Sequence, residues 1–158
     1  MAGALPEMNP FLTNEVLGAL ALQATLACMP DRTISLPNAL LILPLVFNKR
    51  IRSILKSKNV VCISSRDLIL SFPKEFSAVS HHFLDLSATS VNTILLAGEM
   101  GIAEFNETTL HLNSEIFTSS NSKSIGQVGA EIFLAAPRLA KILEENSAEL
   151  YQNLRISL

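Results

Sequence analysis

At 158 residues the chain is long enough to bury a sizeable core within one domain, and its net charge of −2 gives it no global pull towards nucleic acid. Apolar residues make up 49% and charged residues 16%, against about 25% charged in a typical globular chain. With a mean hydropathy of +0.37, such a chain either packs an unusually large core or keeps apolar surface for a partner, and the scarcity of solubilising charge favours the partner.

Cys28 and Cys62 lie far apart, each in an apolar setting, which points to free buried thiols. The opening residues show no basic n-region or cleavage pattern. The longest apolar runs, 16–29 and 36–47, fall short of the roughly 20 residues that span a bilayer. These features place the protein in the cytoplasm.

In chain order, Asn9-Pro10 is a helix start, with Asn as N-cap and Pro at the first helical position. The run 11–29 is helical, with Val16, Leu17, Leu20, Ala24 and Ala27 on one face, and Pro30-Asp31-Arg32 stops it. A second helix is expected over 37–47. Pro44 removes its hydrogen bond to Leu40 and collides with that carbonyl, so a kink or break belongs there. The short run 49–56 is amphipathic: Ile51, Ile54 and Leu55 face in, while Lys49, Arg50, Arg52 and Lys56 face out. A brief strand is expected over 60–63. Ser64 with Asp67 resembles a capping box for a helix reaching Phe72.

Residues 74–86 read as a helix with Phe76, Val79, Phe83 and Leu86 on one stripe. Ser87 caps the next, 88–98, which buries Val91, Ile94 and Leu95 and ends at Gly98 and Gly101. Segments 102–105 and 109–112 flank a polar turn, a hairpin signature. The order helix, helix, hairpin is that of a winged helix. The stretch 118–124 reads as a flexible loop. Beyond it Val128, Ile132, Ala135, Leu139 and Ile142 keep helical spacing; Pro137 either kinks that helix or opens a new one. A last short helix fits 148–154, followed by a docked tail. The fold class is therefore α+β, mostly helical, in a single domain 1–158. Its winged-helix-like core covers about 74–112, with further helices at both ends.

Charge divides along the chain. From Lys49 to Lys74 seven cations face one acid, Asp67, whereas from Glu75 to Ser122 six acids stand with no Lys or Arg. DNA affinity comes largely from neutralising phosphates, so the would-be recognition helix, offering Thr89, Ser90, Asn92, Thr93 and Glu99, is a poor DNA reader and a reasonable protein-docking surface. The basic run is either a solvated helix face or a patch for phosphate or an acidic protein surface. No aromatic side chain interleaves the cations from Lys49 to Arg66, which argues against a single-strand stacking platform.

Catalysis finds no support. His81 and His82 are adjacent and point about 100° apart on a helix, His111 sits on the hairpin, and no Cys or His pair has zinc spacing. Gly126-Gln-Val-Gly129 lacks the lysine of a phosphate loop. Neither a catalytic residue, a metal nor a cofactor is indicated.

The joint between the apolar and basic runs, Leu36-Pro37 followed by Leu-Leu-Ile-Leu-Pro44-Leu-Val-Phe-Asn-Lys49 and Arg52, resembles the middle components of three-component ABC systems. Their hallmark is a leucine-rich Leu-Pro-Leu helix, then a His/Asn-Lys pair and an Arg three residues on. Residues 136–143, and the closing Leu150-Tyr151-Gln152-Asn153-Leu154-Arg155-Ile156, are similar to that family's end, with Asn153 where the tail often carries a small residue or leucine. The resemblance implies a non-catalytic accessory subunit partnered by an SMC/Rad50-like ABC ATPase and an effector protein. Such systems, Lamassu-type ones included, act in defence against phage and plasmids. It further implies that Lys49 and Arg52 contact the ATPase, or DNA held by it, over a core of the leucines in 40–45; the basic run adds Arg50, Lys56 and Lys58 to the partner-binding face. The residues leave open a stand-alone winged-helix DNA regulator, or an immunity or adaptor protein of an unrelated toxin.

Overall fold

The computed structural model describes residues 10–61, 64–118 and 126–157. Its first helix, α1 (Pro10–Cys28), is the axis of the molecule. Ala19, Leu20, Ala21, Leu22, Ala24 and Leu26 are buried on every side of it, as a helix with apolar residues all round must be. The expected single apolar face is thus a full cylinder. Two polar residues share this interior. Thr25 Oγ1 donates to the Ala21 carbonyl at 2.7 Å, and Gln23 accepts from Ile116 N (2.8 Å) and Phe117 N (2.9 Å) while donating to the Phe117 carbonyl (2.7 Å). Gln23 so straps the segment after the hairpin onto α1. The expected capping Asn9 lies outside the described residues.

Asp31 and Arg32 take left-handed backbone and turn the chain into β1 (Thr33–Ser35), a strand whose length gave no sequence signal. Helices α2 (Leu36–Ala39) and α3 (Ile42–Val46) follow, then α4 (Lys49–Lys56). The break expected near Pro44 falls at Leu40–Leu41, because the ring acts on the carbonyl four residues back and Pro44 itself sits in the first turn of α3. Beyond α4, Val60 and Val61 form no strand; Cys62 and Ile63 lie outside the described residues. Helix α5 (Ser65–Ser71) starts as expected, with Ser64 Oγ accepting from Asp67 N at 3.2 Å. The expected helix 74–86 is two pieces, α6 (Pro73–Phe76) and α7 (Val79–Asp85).

The largest correction concerns α8 (Ser87–Glu99). Ile94 is buried as expected, but its companions are the small residues Ser90, Thr93 and Ala97, while Val91 and Leu95 are 49% and 55% exposed. The face 90, 93, 94, 97 packs on α1, where Gly18 admits Thr93: a Cβ on Gly18 would lie 2.5 Å from Thr93 Oγ1. Two backbones that close exclude large side chains, so Val91 and Leu95 turn outward.

The hairpin β2 (Ala103–Asn106) and β3 (Thr109–Leu112) forms as expected around Glu107-Thr108, and β1 joins it to give the antiparallel order β1-β3-β2. Helix α9 (Gln127–Ile142) runs unbroken through the exposed Pro137, packed on α1 and α4. Residues 119–124 of the expected loop lie outside the described residues. Helix α10 (Ser147–Asn153) ends in a Schellman turn: Arg155 takes φ 58°, its N–H reaches the Gln152 carbonyl, and Ile156 N reaches that of Tyr151 at 2.9 Å. The expected docked tail is real up to Ile156, which is buried.

The result is a mostly helical α+β fold. Among the described residues no helix is long and apolar enough to cross a membrane. Cys28, expected in the core, is exposed at the end of α1; burial of its remainder and the charge of Glu115 raise its pKa.

Tyr151 reports on this core. Its ring meets Phe83 edge-on, with centroids 5.6 Å apart, and its hydroxyl donates to the Pro37 carbonyl, pinning α10 to the start of α2. Burial pushes its pKa up to about 12. It is the sole Tyr, and the chain has no Trp. Phenolate absorbance should therefore half-titrate near pH 12 in the folded protein and near about 10 in urea. The folded state holds the proton more tightly, so this contribution to stability is complete below about pH 10 and disappears as pH rises through 12. Coincident folded and unfolded titrations would contradict the buried placement.

Candidate functional site

The joint singled out in the sequence is where α3 meets α4. Residues 42–46 are all buried, so α3 anchors α4 in the core. Asn48 caps α4, its Oδ1 accepting from Arg50 N (3.0 Å) and Ile51 N (3.2 Å), and its Nδ2 lies 3.3 Å from His82 Nδ1 on α7. That one side chain sets where the helix begins and which way it points.

The cations of α4 then divide into two groups. Lys49 and Arg50 are exposed in the first turn, with no acid there to offset them. A helix N-terminus carries about half a positive charge, so this end is electropositive twice over. Both residues border a shallow groove with Ser53, Ile54, Phe72 and Glu75. Arg52 and Lys56, one turn apart, point instead at α9. Arg52 Nε donates to Glu131 Oε1 at 2.9 Å and its Nη1 to the Val46 carbonyl at 2.8 Å; Lys56 Nζ donates to Glu131 Oε2 at 2.8 Å. Arg52 is 6% exposed, which overturns the expectation that it faces out. It ties the last turn of α3 to α9, and Lys56, half-buried, closes the same triad. Hydrogen bonds from Lys56, then from Arg52, hold the Glu131 carboxyl below its usual range. Lys58 is exposed past the helix end.

Two further contacts were beyond sequence reasoning. Arg138 on α9 donates to the carbonyls of Leu55 and Val60, each at 3.2 Å, and so meets the negative end of α4. Glu145 accepts from Ser65 N (2.7 Å) and Ser65 Oγ (2.6 Å), fastening the end of α9 to the start of α5. A signal for the triad did exist: Glu131 is the one acid between Glu115 and Glu144, in the otherwise apolar run 128–137. A lone carboxylate there needs a buried cation. Of the histidines, His82 supports Asn48, and His111 Nδ1 lies 3.0 Å from Thr33 Oγ1 across the sheet.

A leucine-rich, proline-broken anchor, an Asn-capped Lys and an Arg locked to α9 thus form one structural unit. Residues 6–158 match the family model described as ABC-three component (ABC-3C) system Middle Component 3. The chain belongs to that family. No curated protein and no solved structure matches it. For this middle component, the resemblance carried by Asn48, Lys49 and Arg52 acquires separate physical meanings: a cap, an exposed cation and a buried tie.

Proposed function

We propose that the protein is a non-catalytic accessory subunit bridging an SMC-like ABC ATPase and an effector in a cytoplasmic bacterial defence complex of the Lamassu type. Lys49, Arg50 and Lys58 form the face that meets the ATPase or DNA held by it. Arg52 and Lys56 act by fixing that face on α9. The supporting observation is the pair Lys49–Arg50, left exposed at the positive end of α4 where stability alone would favour acids. Sheet order β1-β3-β2, with α8 leading into the hairpin, supports reading about 74–112 as a winged helix. Its exposed Val91 and Leu95, and its lack of cations, favour protein over DNA at α8.

The test separates function from folding by sign. Reversing the pair with Lys49→Glu and Arg50→Glu places acids at a helix N-terminus and should raise stability by about 0.3–1 kcal/mol per residue. The same variant, co-expressed with its neighbouring genes, should recover about tenfold less ATPase in a pull-down and lose protection against phage. Undiminished recovery and defence would remove this face from the proposal. Recovery of the unmodified protein alone, without any ATPase, would remove the accessory role itself.

A further inference from the structure

We propose that the apolar groove between α2, α8 and β2 is a docking site for an amphipathic helix of a partner protein, one whose apolar stripe is flanked by Lys and Arg. The groove, about 150 Å³, is lined by Leu36, Leu40, Val91, Ile94, Leu95 and Phe105. Val91 and Leu95 stand one helical turn apart on α8. Phe105 pairs across the sheet with Leu110 and through it with Ile34, so it lies on the core-facing side, yet it is 52% exposed. Here the core continues to the surface without a cover. A concave strip with aliphatic side chains at helical spacing on one wall suits a helix presenting apolar residues at i, i+4 and i+7.

Charge selects the occupant. Glu99 follows Leu95 by one turn on the same stripe, and Glu107 lies in the hairpin turn two residues beyond Phe105; both are exposed, whereas Glu104 pairs with His111 and faces the other side of the sheet. The sequence from Glu75 to Ser122 offers no compensating Lys or Arg. A phosphate backbone is repelled by such a rim. A second copy meeting this patch across a two-fold axis would set the acids against their own kind. A helix with cations beside its apolar stripe is the complement.

This inference rests on the accessory-subunit reading for the source of that helix, another component of the complex. It also gives that reading a second face, since no residue of α4 lines the groove.

The test uses the isotope-labelled full-length protein, titrated in an NMR experiment with two designed four-turn peptides. Both carry leucines at i, i+4 and i+7; one is flanked by Lys, the other by Glu. The Lys-flanked peptide should give saturable amide shifts concentrated in Ser87–Glu99 and Ala103–Asn106, and bind at least about tenfold tighter than the Glu-flanked one. Leu95→Asn should weaken it by about tenfold or more, with the amide spectrum verifying the fold, while Lys49→Glu with Arg50→Glu should leave it unchanged. No saturable shift up to about 1 mM peptide, equal binding of the two peptides, or indifference to Leu95→Asn overturns the proposal. So does a dimer in sedimentation that Leu95→Asn dissociates, which would give the groove to a second copy. Because the peptides are read on the protein alone, failure here leaves ATPase capture through α4 untouched, and failure of that capture leaves this result standing.

Discussion

Replacing Glu131 by Ala is expected to cost the fold about 3–5 kcal/mol, the usual loss when one partner of a buried ion pair is removed. The magnitude follows from what is left behind. The Arg52 and Glu131 side chains are 7% and 14% exposed, so without the carboxylate the Arg52 guanidinium keeps only the Val46 carbonyl and cannot swing into water without vacating the core. Lys56, at 33%, can reach solvent and contributes less. Urea unfolding followed by circular dichroism measures the loss, and one below about 1 kcal/mol would show that Arg52 is far better solvated than its position allows. The pair Arg52→Met with Glu131→Leu should recover most of the deficit, since apolar residues of similar volume often replace a buried ion pair at little cost. The pH dependence has a definite sign. The folded-state pKa of Glu131 is depressed, so its contribution is complete above the unfolded value of about 4.3 and is lost as pH falls through the lower one.

That triad also shows where sequence legibility stops. Local features were readable: α4 occupies the range its amphipathic spacing gives, the Ser64 cap and the hairpin turn fall where turn and cap chemistry put them, and the family signature lies in contiguous residues. What failed depended on distance along the chain. Amphipathic spacing predicts that Arg52 faces solvent, as a cation on such a helix usually does, but its partner lies 79 residues away. The same blindness affected α8. Spacing predicts that the large apolar residues form the buried face, but burial goes to Ser90, Thr93 and Ala97, because helix–helix distance is decided by the facing α1, where Gly18 invites a close approach. β1 has only three residues and exists because β3 offers it an edge. The candidate site was therefore half legible: Lys49, Arg50 and Lys58 lie on the surface as expected, whereas Arg52 and Lys56 needed the tertiary structure to find their roles.

Gly18→Ala should destabilise the protein by about 1–2 kcal/mol, although Gly to Ala in the middle of a helix ordinarily stabilises by about 1 kcal/mol through propensity and unfolded-state entropy. The two effects compete, and geometry decides between them. The new methyl would lie 2.5 Å from Thr93 Oγ1 and 2.9 Å from its Cγ2. Thr93 is 1% exposed and β-branched on a helix, so it has few rotamers to retreat into. Overpacking of this kind costs about 1–3 kcal/mol, and α8 must shift from α1 to relieve it. The sign should reverse when Thr93 is Ala, because both closest atoms are gone and the remaining Cβ contact, at 3.2 Å, asks for only a small adjustment. Thr93→Ala alone should be tolerated, since Thr93 Oγ1 has no hydrogen-bond partner among the described residues and its removal relieves a buried, unsatisfied hydroxyl. A double-mutant cycle by urea unfolding should thus return a coupling of at least about 1 kcal/mol between residues 75 positions apart. Additive effects would mean that α1 and α8 do not approach as closely as Gly18 permits. The outward turn of Val91 and Leu95 would then lose its physical cause, because that close approach is what denies them the interior.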